Sequence, residues 1–331
     1  MNSPNNRPRK GSLYVETQGT LFSTGVKIMA SKKELQNKIE QLETELKNIA
    51  ESERQAQRQL SILKKEHDEH IQFMEENKML RSEQVVAEQI QKSMLPTAYP
   101  AFPEHPQIDL FADMEAAREI GGDFYNYFPI DESRICFMIA DVEGKGIPAA
   151  LHMATIKTML ELRILAGEHL DTVFEDINAT LCKGKKQRRF VSVWLALLDV
   201  TSGHLSCINA GHNFPVIKRK NEPPELLSKR SGLPLASYYS EKRPERSKYE
   251  MFEEKLNPGD TLFLYTDGVV EAMGKNKCVY GEERLLESIA KYMADDHTVQ
   301  ELTSYVHRQI NNYSNHIEQD DDITLLAVRY M

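Results

Sequence analysis

Hydrophobic positions divide the chain into two regimes of different period. From Lys32 to about Ser93 there is neither proline nor glycine, and Leu35, Ile39, Leu42, Leu46 and Ile49 alternate four and three residues apart. The series resumes at Leu60 and Leu63, breaks at the charged run from Lys64 to His70, and returns out of phase at Ile71 and Met74, then at Val86, Ile90 and Met94. Such a heptad seam predicts a left-handed coiled coil with a register change. Ser31 has capping-box spacing to Glu34, which places the helix start there. A seam this narrow is marginal on a solitary helix, so a paired homodimer is expected. Pro96, Pro100, Pro103 and Pro106 then form a stiff linker.

Beyond the linker the apolar runs shorten. Strands are predicted over 108–112, 125–130, 135–140, 190–199, 204–209, 215–218, 248–252, 261–265 and 323–330. Helical spacing covers 149–165, 170–182, 282–293 and 299–313. Val200-Thr-Ser-Gly203 joins two of the strands as a hairpin. Hairpin joins with helices bunched between strand groups predict an α+β fold of two packed antiparallel sheets flanked by helices, not a doubly wound parallel sheet. The expected organisation is a disordered segment over 1–30, a coiled-coil regulatory helix over 31–95, a proline-rich linker over 96–106 and a globular domain over 107–331.

Composition narrows the function. A net charge of −9 disfavours nucleic acid or an anionic membrane surface as general partners. No apolar run approaches the ~18–20 residues needed to span a bilayer, and the polar N-terminus lacks a signal-peptide pattern. Cys136, Cys182, Cys207 and Cys278 are far apart and form no CxxC pair. They read as reduced thiols of a cytoplasmic protein, not as zinc ligands or a disulfide frame.

Candidate chemistry lies in acids beside buried runs. Asp123 follows Gly121-Gly122, Asp141 ends a five-residue apolar run, Asp267 follows Thr261-Leu-Phe-Leu-Tyr-Thr, and Asp320-Asp321-Asp322 precedes the last strand. Each is either a turn-former, which Asp beside Gly often is, or part of one anionic cluster. Clustered carboxylates repel unless a cation neutralises them. An all-oxygen donor set suits Mg²⁺ or Mn²⁺ better than zinc. Two such ions generate a nucleophile from water and neutralise a phosphoryl group, so a binuclear hydrolase of phosphate esters is the expected chemistry.

Glu119-Ile-Gly-Gly-Asp-Phe-Tyr125, Ala140-Asp-Val-Glu-Gly-Lys-Gly-Ile-Pro-Ala-Ala-Leu151, Asn209-Ala-Gly-His-Asn213, Leu264-Tyr-Thr-Asp-Gly-Val-Val-Glu-Ala272 and Asp321-Asp-Ile-Thr324 occur in this order. Together they resemble the SpoIIE/RsbU-like branch of the metal-dependent protein serine/threonine phosphatases (PPM, type 2C), over about residues 107–331. Ala87-Glu-Gln-Ile-Gln-Lys-Ser-Met-Leu-Pro96 resembles the regulatory helix that precedes the domain in that branch. The resemblance implies a phosphoserine/phosphothreonine phosphatase with a binuclear Mn²⁺ or Mg²⁺ site, acting by in-line attack of metal-bound hydroxide. Asp141 would bridge both ions, with the Val142 carbonyl as a further ligand. Asp267 and Asp321 would complete one site, and Asp123 would approach the other; Asp322 or Asp320 replaces Asp321 if the register is off by one. Gly144 and Gly146 would bring backbone close to phosphate. The implied substrate is a phosphorylated STAS-type anti-sigma-factor antagonist in bacterial partner switching, with an upstream activator acting on the coil. Two departures stand out: Asn126 replaces a frequent acid, and Glu143 a frequent Ser or Gly.

Other features carry less. Arg118 either binds phosphate or is solvated, and His212 either donates to phosphate or is a turn histidine held by hydrogen bonds. The run from Lys183 to Arg189 is a solvated loop or a docking site for an acidic phosphoprotein. Gly121-Gly-Asp-Phe is similar to the diguanylate cyclase signature Gly-Gly-Asp-Glu-Phe, but the residue order differs and the other motifs have no place there. A catalytically silent coiled-coil signalling scaffold is the alternative function.

Overall fold

Helix α1 (Leu13–Met94) starts upstream of the cap expected at Ser31. The computed structural model describes residues 13–183, 189–239, 244–275, 277–292, 297–315, 317 and 319–331. The expected disorder of 1–30 is therefore corrected for 13–30, which is helical, while 1–12 lies outside the described residues. No proline falls between Pro8 and Pro96, so a helix nucleated further on propagates through this stretch despite the cost of Gly19 and Gly25.

The chain divides into two units, Met1–Met79 and Leu80–Met331. In the first, Leu35, Ile39, Leu42, Leu46 and Ile49 stand 47–66% exposed, leaving the apolar seam uncovered. The second begins upstream of the boundary expected at Pro96, because the chain is already anchored before that proline. Gln91 and Leu95 are buried, and Phe102, 3% exposed, packs edge-on against Tyr127 with ring centroids 5.8 Å apart. Tyr127 Oη donates to the Ala98 carbonyl at 2.9 Å. The proline-rich segment is thus packed onto the domain instead of acting as a spacer.

In the second unit the strands are β1 (Ile108–Glu115), β2 (Phe124–Pro129), β3 (Arg134–Val142), β4 (Val191–Asp199), β5 (His204–Ala210), β6 (Val216–Lys218), β7 (Glu225–Leu226), β8 (Phe252–Lys255), β9 (Thr261–Tyr265) and β10 (Ile323–Tyr330). They form two antiparallel five-stranded sheets, ordered β1-β10-β9-β6-β7 and β2-β3-β4-β5-β8. Helices α2 (Ile147–Leu165) and α3 (Leu170–Cys182) pack on the second sheet; α5 (Gly281–Tyr292) and α6 (Val299–Ser314) pack on the first.

Strand alternation produces the layers. On β10, Leu326 and Val328 enter the main core shared with the second sheet, while Leu325 and Ala327 join Leu285, Ile289, Leu302 and Val306 beneath the helices. The expected pair of antiparallel sheets with flanking helices is what forms. Two details differ from the sequence pattern. The strand expected at 248–252 lies at Phe252–Lys255, because Tyr249 turns in against Phe174 and Glu250 N–H bonds the Ser231 carbonyl at 3.0 Å. A short helix α4 (Asp267–Glu271) follows β9 directly, too brief to leave a periodic signature.

Candidate metal centre

Strand register brings the acids together. Phe124 of β2 pairs with Ala140 of β3, so Asp123 and Asp141 emerge at the same end of one sheet. Tyr265 of β9 pairs with Leu325 of β10, so Asp267 and the triple-Asp segment emerge at one end of the other. Asp141 is itself in the ladder, opposite Ser192, which removes the turn-former reading. Asp267 opens α4 instead of ending a strand, with its carboxyl in the first turn.

The carboxylates sense one another across the two sheets. Burial, then Asp267 and Asp321, push Asp141 up to about 7, against a hydrogen bond from Asp123. Burial, then Asp321 and Glu271, push Asp267 up to about 6. Asp123 is fully enclosed and lies well above the usual carboxylate range, through burial and then Asp141 and Asp322, although Thr324 Oγ1 donates to its Oδ2 at 2.6 Å. These shifts identify a space where negative charge is costly and a cation is favoured.

Within the triple Asp the three side chains part company. Asp322 is buried and turned into the fold, accepting from Ala117 N at 2.9 Å and Gly122 N at 2.7 Å. Asp320 is exposed. Asp321 is half-buried, acts on Asp141 and Asp267, and lies 3.3 Å from Lys145 Nζ. Among the described residues no three acidic, histidine or cysteine side chains close around a single ion by themselves. The donor set is nevertheless all oxygen and electrostatically strained, which fits hard divalent cations shared over a wider cluster with backbone and water oxygens.

Close backbone approaches explain the glycines here. A Cβ on Gly122 would stand 2.6 Å from the Val142 carbonyl oxygen, the expected backbone ligand. Gly144 and Gly146 have φ of 90° and 76°, and Gly146 leads into α2, which has Pro148 in its first turn, no side-chain cap and no acid in that turn. Arg189 donates to the Glu143 carbonyl at 2.7 Å, and Glu143 itself accepts from Phe190 N, so this side chain braces the turn from outside the cluster.

The remaining sequence candidates are placed as follows. Arg118 is exposed on the loop before Asp123. His212 is 2% exposed, with Nδ1 2.7 Å from Ser192 Oγ and its backbone N–H donating to Asn209 Oδ1. Burial holds its pKa down at about 4, although the Tyr265 backbone pulls upward, so it is a neutral strut behind Asp141. Asn126 is buried and donates to Glu161 of α2 at 2.9 Å, away from the acids. Residues 184–188 of the basic run lie outside the described residues. Beside the acids a cleft of about 590 Å³ is lined by Lys145, Asp321, Glu115, Glu271, Met273 and Val279.

Sequence reasoning missed Thr324, Thr266 and Lys145. Thr266 Oγ1 accepts from Thr324 N at 3.0 Å, which ties the two strand ends that carry Asp267 and Asp321. For the two threonines the signal was a hydroxyl residue at the edge of an apolar run, where a partner is obligatory on burial; Lys145, between two glycines, carried none.

The family model for Stage II sporulation protein E (SpoIIE) matches residues 131–331. The chain belongs to the SpoIIE family. It is 28% identical over 269 residues to Protein IcfG of Synechocystis sp., covering 72% of this chain but 40% of that protein. It is 26% identical over 265 residues to the phosphoserine phosphatase RsbU of Bacillus subtilis, covering 80% of this chain and 74% of RsbU. Among solved structures, the SiaA-PP2C domain of Pseudomonas aeruginosa superposes with a TM-score of 0.65 at 20% identity, covering 77% of this chain and 98% of that one. The SpoIIE-family match and this superposition agree on a PP2C-type sandwich, and among the described residues no helix is long and apolar enough to cross a membrane.

Proposed function

We propose that this SpoIIE-family chain is a metal-dependent phosphoserine/phosphothreonine protein phosphatase. The observation that carries the reading is the meeting of Asp123, Asp141, Asp267 and Asp321 at one end of the sandwich, two from each sheet, with Asp141 raised by burial and then by Asp267 and Asp321, and Asp267 raised by burial and then by Asp321. Kinship with RsbU, a phosphoserine phosphatase, supports the reaction class.

Asp123, Asp141, the Val142 carbonyl, Asp267 and Asp321 would hold two Mn²⁺ or Mg²⁺ ions. Bound there, the pair supplies Lewis acidity and a water of lowered pKa. The chain does the rest. Asp322 already accepts from two backbone N–H groups, which supports Asp321 as the ligand of the triple Asp. The Gly144–Gly146 turn and the acid-free first turn of α2 offer backbone N–H groups to phosphate oxygens. Lys145 adds positive charge on the same side, and exposed Arg118 attracts the phosphate from solvent. The adjoining cleft receives the polypeptide that carries the phosphoserine, and the phosphoryl group is transferred in line to water.

In this reading the substrate is a phosphorylated STAS-type antagonist and the setting is cytoplasmic partner switching. The uncovered seam of α1 pairs with a second copy, and an upstream activator acts on that coil. The test is hydrolysis of p-nitrophenyl phosphate and of a phosphoserine peptide with and without Mn²⁺. Turnover that requires Mn²⁺ and disappears in Asp141→Asn supports the phosphatase. A folded, Mn²⁺-saturated protein without turnover would leave the coiled-coil scaffold.

A further inference from the structure

His212 is buried two residues past the end of β5, and the chemistry described above leaves its ring unused. The turn that presents it is fixed from outside the acidic centre. Ser231 Oγ accepts from Asn209 N at 3.0 Å, and the Asn209 carbonyl accepts from Ser231 N at 2.9 Å. Gly211 stands at a φ of 72°, and a Cβ on it would lie 2.5 Å from the Pro234 ring. Asn209 Oδ1 then holds the His212 backbone N–H at 2.8 Å. A ring mounted on so constrained a turn has a set position.

That ring stands between the two halves of the centre. On one side Nδ1 is 2.7 Å from Ser192 Oγ. Ser192 is directly opposite Asp141 in the β3–β4 ladder, and opposite residues of an antiparallel pair share a face, with Cβ atoms about 4.5–5.5 Å apart. On the other side the backbone carbonyl of Tyr265 faces the imidazole, close enough to favour its charged form against the burial that keeps it neutral. Tyr265 ends β9, two residues before Asp267. With Nδ1 taken by Ser192, Nε2 is the nitrogen left for that carbonyl; it is buried, and among the described residues it closes no hydrogen bond of ordinary geometry. A neutral imidazole has one N–H and one bare nitrogen, so a ring that turns Nε2–H toward Tyr265 accepts the Ser192 proton at Nδ1. β4 and β9 belong to different sheets, so the ring reaches both.

We infer that His212 is a positioning residue that ties the two sheets together at the acidic centre, holding the strand beside Asp141 through Ser192 and the strand that leads to Asp267 through the Tyr265 backbone. This rests on the reading of Asp141 and Asp267 as members of one cation-binding cluster. His212 touches neither substrate nor cation; it fixes how far apart the two halves of the carboxylate set stand. Hard cations bind through several oxygens at short, defined distances, so a drift of one sheet against the other weakens binding even when every ligand is present. The buried ring is then part of what makes two separate sheet ends into one site.

The test uses the full chain, with free Mn²⁺ followed by water-proton relaxation and the Tm of the metal-free protein measured in parallel. Ser192→Ala cuts the link on the Asp141 side and removes one atom; His212→Leu cuts both links and keeps an apolar side chain in the space. Each is expected to need about tenfold more Mn²⁺ for half-saturation, the scale seen when a group that orients a ligand is lost. Thr261→Val is the comparison for stability alone. It removes a buried hydroxyl that accepts from Arg329 Nε at 3.1 Å at the opposite end of β9, and should lower Tm while binding Mn²⁺ as the wild type does. Wild-type Mn²⁺ affinity in Ser192→Ala would overturn the inference whatever its Tm, and that variant decides alone if His212→Leu does not fold. Mn²⁺ binding weakened as much in Thr261→Val would also overturn it, since affinity would then follow overall stability. Should the wild type bind no Mn²⁺ at all, the cation reading falls and takes this one with it.

Discussion

Asp141 carries opposing demands. Its strand position buries it and its neighbours repel it, so in the metal-free protein its ionised form destabilises the fold. A carboxyl whose folded pKa stands at about 7, above its unfolded value, stabilises most when protonated, and that contribution is lost as pH rises through about 7. Asp267, held at about 6, acts in the same direction. His212 opposes both only at lower pH: depressed to about 4, it contributes stability above the ordinary histidine pKa and loses it as pH falls toward 4. Acidifying the metal-free protein from pH 8 to about 6.5, where an ordinary histidine begins to titrate, should therefore raise its Tm. Asp141→Asn should melt several degrees higher than wild type at pH 8 without metal, since ~1 kcal/mol moves Tm by ~2–4 °C at this size. It should also lose catalysis by at least ~100-fold with metal. A scanning-calorimetry series across pH checks the first, and a lower Tm for Asp141→Asn would return Asp141 to a structural role.

Thr324 makes a second residue-scale prediction. Its hydroxyl is the donor on Asp123, so Thr324→Val should weaken Mn²⁺ binding ~10–100-fold. Unchanged binding by calorimetry would show that Asp123 needs no orientation.

At the scale of elements, α1 does two things along its length. Its upstream seam is exposed, and its last turns are part of the domain that begins at Leu80. Deleting residues 1–79 should give a folded monomer by light scattering, and a persistent dimer would remove the coil as the pairing element. Deleting 1–95 should also give a monomer but with a lower Tm, because Gln91 and Leu95 are lost from the interior; equal Tm values for the two deletions would contradict the packing seen here.

The same element shows what the sequence could reveal. The heptad spacing of Leu35 to Ile49 made the helix legible, and the apolar run within 323–330 placed β10 to the residue. The start of α1 was not legible, since glycines and a plausible cap argue for a break that continuous helix propagation overrides. The inward face of its final turns was hidden too. A seam read from Val86, Ile90 and Met94 points to the wrong side, because a backbone partner 30 residues away, not hydrophobicity, selects Gln91 for burial.

For the whole molecule, the two sheets bring together acids spaced across roughly the full length of the domain. The sequence motifs identified which acids to watch, but only the folded chain shows that Asp321 acts on Asp141 from the other sheet while its neighbour Asp322 accepts from backbone N–H groups. The fold thus gathers negative charge at one end, which a bound cation would relieve. Ligand linkage then predicts stabilisation by ~2.7 kcal/mol when free Mn²⁺ reaches about 100 times its Kd.

Calorimetric titration of the full chain with Mn²⁺ near neutral pH tests the shared acidic centre most directly. Two ions should bind per chain, and Asp141→Asn should lose both or retain one weakly, because in the proposed arrangement Asp141 would serve both sites. Absence of binding to the wild type, or an isotherm unaltered by Asp141→Asn, would contradict the account.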